Sequence, residues 1–108
     1  MSTMTRKLIA SVTSEKQPQE GQEHRSSGNF STQGLPEGTK TLAWEIEGGE
    51  ETEVIKFQVK EDVTGKDPVY FVEVYNGNRT AVKSSRSLYI ADPVGATSPF
   101  LVKVYAEF

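Results

Sequence analysis

From residue 41 to the C-terminus, apolar side chains return at every second position, and this two-residue period constrains the chain more than any other feature. Leu42, Trp44 and Ile46 alternate with Thr41, Ala43 and Glu45. Ile55, Phe57 and Val59 alternate with Val54, Lys56, Gln58 and Lys60. The last run sets Phe100, Val102, Val104, Ala106 and Phe108 against Leu101, Lys103, Tyr105 and Glu107. Successive side chains of a strand point to opposite faces, so each run offers one face to a core and the other to water. No window sustains a 3.6-residue period over three turns, and β-branched and aromatic residues dominate the apolar positions.

Three further stretches read as strands. Residues 5–14 alternate Leu8, Ala10 and Val12 against Lys7, Ile9 and Ser11. "DPVYFVEVYN", residues 67–76, is dense enough in Val, Tyr and Phe to predict a strand buried on both faces. "RTAVKSS" and "SRSLYIAD" predict shorter strands. About seven to eight short strands, with turn signals roughly every 8–12 residues, predict an all-β fold: a two-sheet antiparallel β-sandwich, with a small β-barrel as the alternative. The length of 108 residues suits one domain spanning 1–108. Within it, residues 15–38, "EKQPQEGQEHRSSGNFSTQGLPEG", read as a long polar loop in which "GNFSTQG" has the character of a short edge strand.

Two glycine pairs carry turn signals. Gly48-Gly49 predicts a hairpin joining the second and third alternating runs. Asn76-Gly77 predicts another, in one of two registers. A two-residue turn sets Val74 opposite Arg79, whereas a three-residue loop sets Glu73 opposite Arg79 and Tyr70 opposite Val82. The second pairs opposite charges and is the preferred reading. It makes Arg79 a cross-strand partner and leaves Lys83 and Arg86, beside Ser84 and Ser85, as a basic cluster able to hold an anion.

Bulk composition narrows the chemistry. A net charge of −3 argues against a surface given over to nucleic acid. The absence of cysteine removes disulfides, thiolate metal sites and a cysteine nucleophile. His24 is the only histidine, and it falls in the polar loop, a poor place to hold a general base. No apolar stretch approaches the length of a membrane span, and "LIA" is too short for a signal-peptide core. The chain therefore reads as cytoplasmic, or exported without an ordinary signal peptide. Clustered carboxylates at Glu50 and Glu51, and at Asp62 and Asp67, are weak candidates for calcium, because they lack the Asp/Asn spacing of a dedicated loop. No cofactor is implied.

The resulting expectation is a non-enzymatic binding module that presents loops at one end of a sandwich to a carbohydrate or a protein partner. Tyr75, Asn76 and Asn78 at the turn tip are the candidate lectin-like contacts, and Lys83 and Arg86 are the further ligand-binding candidates. The first alternative is a self-assembling subunit, a homo-oligomer that uses sheet faces or the apolar C-terminal strand. The second is a small hydrolase or isomerase that uses carboxylates.

Overall fold

The computed structural model of this protein describes residues 5–14, 26–48, 54–96 and 98–108. Among the described residues there are seven strands: β1 (Arg6–Ser14), β2 (Thr41–Glu47), β3 (Lys56–Glu61), β4 (Val69–Tyr75), β5 (Arg79–Thr80), β6 (Leu88–Val94) and β7 (Phe100–Glu107). They form two antiparallel sheets, ordered β1-β7-β2-β5 and β4-β3-β6. The sheets make an open sandwich, not a closed barrel.

The alternating runs point inward as their period requires. Leu42, Trp44, Ile46, Phe57, Val59, Phe100, Val102 and Val104 are all buried in one cluster. Trp44 lies at its centre, edge-on to Phe30, Phe57 and Phe71 with ring centroids 6.2, 6.3 and 5.8 Å away. Edge-to-face pairs add about 0.5–1.5 kcal/mol each beyond the area they bury. The indole N–H, which burial would otherwise leave unpaired, donates to Thr80 Oγ1 at 2.9 Å.

The C-terminal strand β7 lies inside the four-stranded sheet, paired with β1 on one side and β2 on the other. Both its edges are used, so it offers no edge on which a neighbour's strand could add. The first strand also departs from simple alternation. A bulge between Leu8 and Ala10 sets Leu8 opposite Tyr105 on the outer face, while Ile9 and Ala10 both pack toward the core. One extra residue in a strand reverses the faces of everything before it.

The described part of the polar segment, residues 26–38, ties the sheets together along one side. Ser27 bridges to Ser14 at the end of β1, and Phe30 bridges to Leu88 on β6. Ser26 N–H donates to the Ile90 carbonyl at 2.8 Å, and Ser27 Oγ accepts from Ile90 N–H at 2.9 Å. Thr32, fully buried, donates to the Lys83 carbonyl at 2.6 Å and accepts from Ser85 N–H at 2.9 Å. Residues 81–87, read in part as a strand, are instead a loop held by these bonds, since only Arg79 and Thr80 are in ladder positions.

Neither expected hairpin forms. β2 and β3 belong to different sheets, so Gly48 begins a crossing. Gly49 lies outside the described residues. β4 pairs with β3, and β5 pairs with β2, so Asn76-Gly77 also crosses between sheets. Asn78 N–H donates to the Tyr75 carbonyl at 3.0 Å, closing a four-residue turn with Gly77 at φ 84°. Asn76 has no positive φ, which excludes the twin left-handed residues of a type I′ hairpin and matches a type II turn. Gly77 N–H and the Asn78 carbonyl then bond to the Trp44 backbone on β2.

The stretch expected to be buried on both faces is an edge strand. In β4 only Val74 is fully buried, while Val72 is 75 % exposed. Its ladder with β3 slips twice, between Phe57 and Val59 and between Val59 and Lys60. These bulges re-aim alternate side chains outward. The strand covered on both faces is β6, where Leu88, Tyr89, Ile90 and Ala91 are all buried.

Candidate functional site

The structure places the expected site residues at opposite ends of β4. Tyr75, 44 % exposed, ends the strand beside Lys56. The neighbouring Asn76 uses its side-chain oxygen to accept from Ile46 N–H at 2.9 Å, which anchors the crossing turn. Asn78 is held by its backbone between Tyr75 and Trp44. Lys83 lies near the start of β4, its Nζ 5.2 Å from the centroid of the Tyr70 ring. Arg86 is exposed on the same loop. Tyr75 and the Lys83/Arg86 pair therefore do not form one site. Arg79 faces Glu107, and Glu73 instead pairs with Lys56 at 3.1 Å.

Around Lys83 the polar groups serve the loop. Ser85 Oγ donates to Glu61 Oε2 at 2.6 Å and accepts from Ser87 N–H at 3.3 Å. Hydrogen bonding to Glu61, then partial desolvation and the carboxylate's charge, push the Tyr70 phenol above its ordinary pKa. The acidic candidates are also engaged. Asp62 accepts from Asn29 Nδ2 at 2.9 Å, and Asp67 accepts from Val63 N–H at 3.0 Å and from the Tyr89 hydroxyl at 2.8 Å. Tyr89 is thereby buried beneath the 62–67 turn. Glu50, Glu51 and His24 lie outside the described residues. Among the described residues, no group of three or more His, Asp or Glu is placed to hold a metal ion. Nor is any helix among them long and apolar enough to cross a membrane.

The outer faces of the two sheets differ sharply. On the four-stranded sheet, charge is paired across strands. Arg6 bonds Glu45 at 3.0 Å and lies 4.2 Å from the centroid of the Tyr105 ring, and Lys103 bonds Glu47 at 3.0 Å. Glu107 receives Arg79 Nε at 2.6 Å, Arg79 Nη2 at 3.2 Å and Thr41 Oγ1 at 2.9 Å, with Arg6 Nε at 4.0 Å. The hydrogen bonds from Arg79 outweigh burial and hold the Glu107 carboxyl below its ordinary pKa. Apart from Leu8, which is 47 % exposed beside Tyr105, this face is built to meet water.

The three-stranded sheet exposes apolar groups instead. Register places Tyr75, Lys56 and Val94 in one row across β4, β3 and β6, and Val69, Lys60 and Tyr89 in another. Directly opposed residues share a face, so Val69, Tyr75 and Val94 project outward with Lys56 and Lys60. Val69 is 45 % exposed and Val94 58 %. Between the rows, Gln58 floors a groove of about 410 Å³ lined also by Lys56, Phe57, Val72, Glu73, Asp92 and Val94. Asp92 sits at φ 48°, where β6 gains an extra residue opposite Lys56 to Gln58. Aspartate tolerates this left-handed region better than most residues, though still at a cost.

The sequence reading missed this face because it assigned the valines of β4 to a buried strand. The signal available was the Lys56, Gln58, Lys60 series, which marks the outer side of β3. No protein-family model matches this chain, and no match was found among curated proteins or solved structures.

Proposed function

We propose that this chain is a non-catalytic protein-interaction domain whose contact surface is the outer face of the three-stranded sheet. The observation that carries the reading is the gathering of Val69, Val72, Tyr75 and Val94 on one sheet face, while the opposite face exposes Leu8 alone of the large apolar side chains described and is otherwise crossed by ion pairs. Scattered surface valines need no explanation, but exposed apolar side chains gathered around a charged centre on one sheet face favour an interaction surface. A glycan would need an aromatic platform ringed by hydrogen-bonding groups. Tyr75 is the one aromatic among the strongly exposed large apolar side chains described, and the others on this face are the valines Val69, Val72 and Val94, which favours a protein surface. The two bulges in β4 and the charge of Glu73 discourage simple strand addition at that edge, so the face and not the edge makes the contact.

The test combines solution mass across a concentration series with selection from a displayed peptide library. Val72→Glu is the variant, because an exposed side chain can be charged with little effect on folding. Self-association or peptide binding that Val72→Glu abolishes, at an unchanged thermal midpoint, supports the reading. A monomer that selects no peptide overturns it, as does binding that Val72→Glu leaves intact or glycan binding lost only in Tyr75→Ala.

A further inference from the structure

We infer that the partner of this face is a second copy of the same chain, packed face to face with its strands crossing at nearly a right angle. The inference rests on the reading above and adds the identity of the partner.

Lys56, Gln58 and Lys60 share the outer side of β3, so two ammonium groups lie along the strand with an amide between them. Glu73 on β4 and Asp92 on β6 flank Gln58 across the strands, where both line the groove. The face therefore carries a cross with Gln58 at its centre, its arm along the strand positive and its transverse arm negative. Rise along a strand gives the positive arm about 6.6 Å on each side, and strand spacing gives the negative arm about 4.8 Å. Side chains of this length bridge that difference.

A cross of this kind selects its own packing angle. In an aligned pair of faces, the arm of each copy lies over the like-charged arm of the other, with Lys against Lys and acid against acid. Turning one copy through a right angle sets each lysine arm over the partner's acid arm. Orthogonal packing is one of the two arrangements that sheets adopt face to face. It also satisfies an isologous two-fold, in which residue i meets j and j meets i. Both diagonals of the cross satisfy this rule, so the charge match does not depend on which of them carries the axis. Three corners of the cross are Tyr75, Val94 and Val69, which puts apolar contacts beside the charged centre, and the fourth holds the polar 62–67 turn over Tyr89. The existing Lys56–Glu73 pair does not prevent this, because both side chains are about half exposed and can exchange partners.

The experiment uses two variants that break the cross in opposite senses. Lys56→Glu/Lys60→Glu makes both arms negative. Glu73→Lys/Asp92→Asn removes the negative arm, with asparagine chosen because it tolerates the left-handed backbone at position 92. Solution mass is measured for the wild type, for each variant and for an equimolar mixture, with thermal midpoints to confirm folding. The expected result is a wild-type dimer, weakening of at least about tenfold in each variant alone from like charges brought together, and recovery as a heterodimer on mixing. A wild-type monomer overturns the dimer. If that monomer selects peptides that Val72→Glu loses, the interaction-domain reading stands without it. A dimer untouched by either variant, or variants that fail to recover on mixing, also overturns the inference.

Discussion

Replacing Arg79 by alanine tests whether the outer face of the four-stranded sheet contributes to stability as its geometry implies. The substitution removes the hydrogen bonds of 2.6 and 3.2 Å that the guanidinium donates to Glu107. The Glu107 side chain is only 4 % exposed, whereas Arg79 is 62 % exposed. The carboxylate is thus sheltered by a single layer of side chains and not sunk in the core. Hydrogen bonds to charged groups contribute about 1.5–3 kcal/mol, but an exposed ion-pair partner is screened and contributes about 1 kcal/mol or less. Glu107 also keeps its bond from Thr41 and the nearby Arg6. The expected loss is therefore about 1 kcal/mol, or a fall in Tm of roughly 4–5 °C for a domain of this size.

The pH dependence gives a second, independent check on Arg79. The folded-state pKa of Glu107 is depressed, so its contribution is fully present above the unfolded value of about 4.3 and is lost as pH falls through the folded value. The difference between wild type and Arg79→Ala should be constant near neutrality and shrink in acid. Urea and thermal unfolding, followed by the fluorescence of the single tryptophan, Trp44, measure it directly. A difference below about 0.3 kcal/mol at neutral pH, within the error of such comparisons, would refute the reasoning. So would one that persists unchanged in acid.

Two core predictions follow from the loops. Thr32→Val keeps the shape of a fully buried side chain but leaves Ser85 N–H and the Lys83 carbonyl unpaired, with an expected cost of about 2–3 kcal/mol and faster amide exchange across residues 81–87. Gly95→Ala meets a positive φ of 81° and places its Cβ hard against the Val54 carbonyl, so it should cost at least about 2 kcal/mol. Gly34→Ala, which meets nothing, is the control and should stay within about 0.5 kcal/mol of wild type. Chemical denaturation of the three variants decides both, and equal stability of Gly95→Ala and Gly34→Ala would refute the second.

The candidate site was only partly legible. Tyr75 was expected to be exposed and is, because a residue beside a turn signal at the end of an apolar run has little to cover it. Its expected partner Asn76 is committed to Ile46 N–H, a residue on another strand that no local spacing could name. Lys83 lies beside Tyr70 at the far end of β4 from Tyr75, where the register that sets Tyr70 opposite Val82 would also have put it, so the two groups are separated by the length of the strand itself.

What the sequence determined by itself is the class of structure and the inner faces of its most regular strands. A two-residue period dictates which side chains of β2, β3 and β7 face inward, and that arithmetic holds wherever the strands are later placed. Which strands pair was decided only by the tertiary structure, because a turn signal such as Asn76-Gly77 reverses the chain without stating whether it returns to the same sheet. The valines of β4 show the same limit from another side. An apolar run reads alike whether neighbours cover both faces or bulges expose one, and only the packing of the other strands decides between them.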